Sequence, residues 1–428
     1  MTPVSAYTPD SGDPTFDVES YDLDLTYRVR TNRLEGRALL NAVAALPTDR
    51  VRLDLVGLRA ATVRVDGDAV AFRQDARALH LTLPTPLAPG ERFSMDVSYA
   101  GSPRPRRSRW GTLGWEELAD GALVAAQPIG APTWFPCNDR PDDRATYRVT
   151  LASESPYRPL ATGVPVAEGR RGRLVSRTFE LSAPTPTYLV AAHVGRFDTT
   201  RIEIPGVAAE LVHPPHLAGS AARAFAPLPR MIAVFEDVFG PYPQERCTMV
   251  VTSDVLEIPL EAQGMALFGA NHLDLSFERL IAHEVAHQWV GNSVGLHDWS
   301  DIWLNEGFAC YAEWLWSERS GGSTADAHAA VHWARVAAEP ADLILSDPGP
   351  VAMFDDRVYK RGALTLHALR RTVGDEAFFA FLRRWTTAHR HQLVGSDDLR
   401  LAVSESFGER ESALLHRWID TAALPPLP

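Results

Sequence analysis

Between Val18 and about Asp198 apolar and polar residues alternate in short runs. Tyr21, Leu23, Leu25, Tyr27 and Val29 are separated by Asp22, Asp24, Thr26 and Arg28, and Leu79, Leu81 and Leu83 by His80 and Thr82. A period of two is what a strand with one buried face requires. The runs are broken by Pro-, Gly- and Asp-rich turns, so residues 1–200 are predicted to form an all-β domain. From about Leu217 the spacing becomes helical, as in Ala221 to Phe235, with Cys247 to Thr252 reading as a strand. Residues 201–428 are therefore expected to form a second, mainly helical domain, and the chain as a whole an α+β, multidomain protein. Arg104, Arg106, Arg107 and Arg109 crowd one Pro-containing stretch between Gly101 and Trp110, which reads as a solvated loop. No internal repeat or low-complexity segment is present.

One helical stretch carries chemistry. In His283-Glu284-Val285-Ala286-His287 the two histidines stand four apart, so both imidazoles leave the same face of a helix and can converge on one ion. Glu284 points about 100° away around the same turn, off the metal but beside it. Ser276 is the expected N-cap, Glu278 lies in the first turn, and Gly291-Asn292 ends the helix. After eighteen intervening residues beyond His287 comes Glu306, in a second helical stretch running from Ile302 to Trp316 behind the capping candidates Ser300 and Asp301. Two imidazole nitrogens and one carboxylate suit zinc, and three protein ligands leave a fourth position open, which is the mark of a catalytic site. His283, His287 and Glu306 are thus the expected ligands of one zinc ion per chain, and Glu284 the expected general base of a zinc peptidase.

Composition narrows the setting. With 428 residues, 45% of them hydrophobic and 22% charged, the chain can bury a sizeable core. It has no run of about 18 apolar residues, and the stretch Met1 to Asp10 lacks the basic and apolar regions of a leader, so neither membrane insertion nor secretion is expected. The three cysteines, Cys137, Cys247 and Cys310, lie far apart in apolar surroundings and are expected as reduced buried thiols in a cytoplasmic protein, with one incidental disulfide as the alternative. A net charge of −12 argues against nucleic acid and anionic membranes as partners.

The pattern HEVAHQWVGN followed by WSDIWLNEGFACYAEWLW resembles the aminopeptidase N family of gluzincin metallopeptidases, which includes leukotriene A hydrolase. Gln127 with the segment Trp134 to Tyr147, then Tyr188 to Gly195, then Phe239 to Pro243 are similar to further landmarks of that family, in the family's order over roughly three quarters of the chain. The resemblance implies a saddle-like β sandwich followed by a thermolysin-like catalytic domain. It also implies that the helical domain ending the longer members is missing, since only Gly362 to Pro428 follows the last active-site motif and Phe378 to Trp385 looks like a closing helix of the catalytic domain.

The same resemblance assigns further roles. Tyr359 matches the tyrosine that donates to the oxyanion; packing against the HEVAH helix is the alternative. Pro259 to Gly264 takes the place of the family's Gly-x-Met-Glu-Asn motif, with Ala262 where the family has Asn, and Glu261 matches its anchor for the substrate's terminal ammonium. Otherwise Glu261 is a carboxylate at a strand edge. Gln127 matches a second contact to that amine. Glu313 follows Glu306 by seven residues on the same helix face and reads equally as a buttress for an imidazole or as a solvated carboxylate, and Asp301 as a ligand-orienting group or a cap. The expected activity is removal of residues from peptides with a free amino terminus. An endopeptidase, an epoxide hydrolase of the same fold and a noncatalytic scaffold are the alternatives.

Overall fold

The computed structural model describes residues 5–428. Residues 1–4, part of the stretch read above for a leader, lie outside the described residues. The amino-terminal part is built on an eight-stranded sheet in which Phe16–Arg28 pairs antiparallel with Arg33–Ala44 and parallel with Arg144–Glu154. The predicted alternation holds within it: Tyr21, Leu23, Leu25 and Tyr27 are buried while Asp22, Asp24 and Arg28 face solvent. A five-stranded and a three-stranded sheet close over the inner face. Leu79, Leu81 and Leu83 point into the resulting core beside Trp115, Trp134 and Phe135. Only single 3₁₀ turns interrupt the strands before Ala218.

The arginine-rich stretch departs from the expected loop. Arg106–Ser108 is a short edge strand paired with Gly111–Leu118. Trp110 sits at the tip of this hairpin, and its indole N–H donates to Pro350 O at 3.0 Å. That anchor on the second domain holds the turn in a fixed conformation.

The second part opens with a five-stranded sheet. Asp198–Ile204, Val207–His213, Arg246–Val251 and Met265–Phe268 lie side by side, and the three-residue strand Leu260–Ala262 forms the edge. Helices follow, from Ala218–Ala224 to Glu409–Ile419, with Asp375–Ala388 containing the predicted Phe378 to Trp385 segment. Ala262, Met265 and Leu267 pack into the core of the β domain rather than the helical one. The edge hairpin is therefore held where the two parts meet.

Two helices approach unusually closely. Trp303–Ser320 crosses Asp356–Val373 at Gly307 and Gly362, where a Cβ on either glycine would come within 2.7 Å of the other's Cα. A side chain at either position would push the backbones apart. Because Gly307 follows Glu306 and Gly362 lies three residues after Tyr359, this contact fixes the spacing of those two side chains.

Candidate metal centre and active site

The helix Glu278–Ala286 presents the HEVAH motif, and its turn continues through His287, whose N–H reaches His283 O at 3.2 Å. Its start is capped differently from the expectation. Asp274, not Ser276, supplies the side-chain acceptor, taking the Ser276 N–H at 2.9 Å in the 3₁₀ turn that leads into the helix. Gly291, at φ 103°, ends the turn as predicted. Asp298 caps the turn before Trp303–Ser320, while Asp301 accepts the Ser396 N–H at 3.0 Å and so caps a different helix. Asp301 is thus neither a cap of its own helix nor a ligand orienter, because its carboxylate is taken up by Ser396.

His283 Nε2 lies 3.3 Å and His287 Nε2 3.6 Å from Glu306 Oε2. The far nitrogens are occupied: His283 Nδ1 is 2.8 Å from Glu313 Oε1, and His287 Nδ1 is 3.1 Å from Val290 O. A carbonyl can only accept, and a carboxylate is best served as an acceptor, so both Nδ1 atoms carry hydrogen. Each Nε2 is then the nitrogen that would give up its proton to Glu306 or to solvent and present a lone pair when a metal ion binds. Ligands at about 2.0–2.1 Å from a common tetrahedral centre lie about 3.3–3.4 Å from one another, close to the two separations from Glu306, and all three ligand atoms lie within 4.8 Å of one another, so the donor set fits a zinc ion.

The electrostatics favour a cation at this point. Burial alone would drive the imidazoles down, but hydrogen bonds to Glu306 and Glu313 override it and push His283 up to about 10. Against the same burial penalty, His287 and His283 hold Glu306 down to about 2. Carboxylates that make positive charge this favourable on imidazole nitrogens also favour a divalent ion between them.

Around the triad stand the other predicted groups. Glu284 is buried, and its Oε2 has no hydrogen-bond partner. Burial pushes its carboxyl up to about 8; His283 and His287 work in the opposite direction, and Glu261 adds to the rise. The half-buried Glu261 brings a carboxylate oxygen within 4.8 Å of the ligating atoms of Glu284 and His287. Tyr359 lies with its ring centroid 6.1 Å from that of His283 and inclined by 24°. Burial and then the carboxylates of Glu306, Glu261 and Glu284 drive its phenol well above the usual range, so it stays protonated and can donate. Gln127 is half-buried in the turn just beyond the strand Gly121–Ala125, and its Nε2 is enclosed without a hydrogen-bond partner.

Comparison with known proteins fixes the family. The chain matches the peptidase M1 N-terminal domain over residues 17–189 and the peptidase family M1 domain over 223–418. The chain belongs to peptidase family M1. Aminopeptidase M1-A of Oryza sativa subsp. japonica is 27% identical over 71% of this chain and 37% of its own length. For human endoplasmic reticulum aminopeptidase 1 the figures are 26%, 89% and 44%. The chain thus spans less than half the length of these two M1 relatives. A crystal structure of an M1 zinc metallopeptidase mutant from Deinococcus radiodurans, bound to a Tyr-Ser-Ala substrate, superposes with a TM-score of 0.92 at 33% identity and covers 99% of this chain and 98% of that one. The saddle of β sheets followed by a helical peptidase domain is therefore the M1 architecture.

Two kinds of residue around the triad were less visible in the sequence. Glu313 is buried and engaged at both oxygens, with Arg279 Nη1 3.1 Å from Oε2. This decides the even choice left by helix periodicity. Replacing Glu313 by Gln is expected to weaken zinc binding about 10- to 100-fold, the usual cost of losing a carboxylate behind a ligating imidazole, as measured by competition with a chelator; unchanged affinity would return Glu313 to a structural role. Gln288 carries no signal in the motif, and Asn292 reads only as part of the helix stop. Both are wholly buried amides, and their remaining sequence signal is polarity inside an apolar helix end.

Proposed function

We propose that this M1 chain is a zinc-dependent aminopeptidase that removes residues from the free amino end of peptides. The observation that carries this reading is Glu261, a half-buried carboxylate placed beside Glu284 and His287 on a strand edge. An endopeptidase has no use for an acid group there, whereas an exopeptidase needs one to pair with a terminal ammonium. The Tyr-Ser-Ala peptide in the Deinococcus relative supports a peptide substrate.

Bound zinc would be held by His283, His287 and Glu306, and supplies a polarised carbonyl and a water with a pKa lowered to roughly 7. Glu284 accepts the proton of the attacking water and returns it to the departing amine. Its environment suits both halves of that exchange, since burial favours the neutral acid and the two imidazoles the carboxylate. Tyr359 donates its O–H to the carbonyl oxygen as negative charge grows there. Glu261 binds the α-ammonium and so sets the distance from the chain end to the cleaved bond, with Gln127 offering a second, neutral contact. The three free, buried thiols support a reducing compartment and hence the cytoplasm.

The purified protein should carry about one zinc per chain, and a chelator should abolish hydrolysis of aminoacyl substrates until zinc is restored. Full activity in metal-free protein overturns the proposal. Tyr359→Phe should reduce turnover roughly 10²- to 10³-fold with little change in apparent substrate affinity, as for a donor used mainly in the transition state. Normal turnover in that variant would leave Tyr359 as a packing residue.

A further inference from the structure

The edge strand bearing Glu261 is too short to specify its own register. Leu260–Ala262 contributes three residue pairs to Met265–Phe268, and Glu261 stands opposite Ala266 in the middle of them. A slip of one residue would turn Glu261 to the opposite face and bring Leu260 or Ala262 toward the cleft. The two-residue Gln263-Gly264 turn restrains it, together with backbone bonds from Gln263 N–H to Leu189 O at 3.0 Å and from Thr248 N–H to Gly264 O at 2.9 Å, and contacts from outside the ladder add to this.

Two side chains from the end of the HEVAH helix do so. Gln288 Oε1 accepts the Gly264 N–H at 2.8 Å, and its Nε2 lies 3.3 Å from both Ala262 O and Met265 O. Asn292 Nδ2 donates to Ala262 O at 2.8 Å. Together they grip the backbone of the Gln263-Gly264 turn, whose Gly264 sits at φ 68°. Both amides are 0% exposed, so neither can exchange these partners for water. Gln288 immediately follows His287, and the grip therefore ties the position of Glu261 to the metal ligands themselves.

We infer that Gln288 and Asn292 are positioning residues that lock the register of the edge hairpin and thereby set the preference for a free amino terminus. The inference rests on the reading of Glu261 as the ammonium anchor. It also accounts for the tolerance of Ala262 in this motif: the contact that matters at this position is the backbone carbonyl, which Asn292 and Gln288 hold whatever the side chain.

The test compares kcat/KM for a free peptide and its N-acetylated form, with zinc content measured on each protein. Gln288→Met and Asn292→Ala should each narrow the free-to-acetylated ratio by at least about tenfold, the expected effect of one or two lost buried hydrogen bonds, while bound zinc stays at the wild-type level. In a Glu261→Ala background neither change should alter the ratio further, because the group they position is gone. If Gln288→Met does not fold, Asn292→Ala, which removes a single donor, decides the matter. An equal loss on both substrates with an unchanged ratio overturns the inference and leaves the amides as packing. If Glu261→Ala itself leaves the ratio wide, the anchor reading falls and this inference falls with it; if Glu261→Ala narrows it and the amide variants do not, only the positioning role is lost.

Discussion

A Glu284→Gln protein is expected to keep its zinc and to lose at least about 10²-fold in turnover, the low end for removal of a general base. The substitution keeps the shape of the side chain and removes its ability to hold a proton. Glu284 also converges with Glu261 and His287, but the triad of His283, His287 and Glu306 supplies two imidazoles and a carboxylate without it, so metal content should not follow activity down. Metal analysis and single-turnover kinetics on the same preparation separate the possibilities. Loss of zinc would make Glu284 a ligand, and normal turnover would move the base elsewhere.

N-acetylation of a peptide should reduce its specificity constant roughly 10²- to 10³-fold or more. The acetylated chain end carries no charge, and leaving one member of a buried ion pair without its partner costs about 3 to 5 kcal/mol. Glu261→Ala should weaken cleavage of free peptides strongly and bring the two substrates together, since the penalty disappears with the carboxylate. Glu261 is half-buried in the open cleft, which places the expected loss toward the lower end of that range. Internal cleavage of acetylated peptides by the unmodified enzyme at rates similar to free ones would instead favour the endopeptidase alternative.

Much of the fold was legible because its signals are local. Alternation through Tyr21 to Val29 identified a one-sided strand, and the structure buries the expected face. The caps were read less well. Ser276 and Ser300 are good capping residues by type, yet Asp274 and Asp298 do the capping, because each helix begins with a 3₁₀ turn that moves its start toward the amino end. The Arg106–Ser108 strand was missed because three polar residues show no alternation, and only pairing with Gly111–Leu118 makes them a strand.

The candidate site divides along the same line. Spacing four residues apart on one helix places His283 and His287 together by backbone geometry alone, and no tertiary contact is needed to see it. The pairing of His283 with His287, and Glu284 beside them, was therefore legible in the sequence, while the approach of Glu306 from a second helix required the fold. What stands around them was decided only in three dimensions: Glu313 behind His283, Tyr359 beside it through the Gly307–Gly362 contact, and Glu261 held in register by Gln288 and Asn292. Each of these depends on the packing of segments distant in the chain, where residue type permits both a solvated and a functional place and only burial against a specific neighbour selects between them.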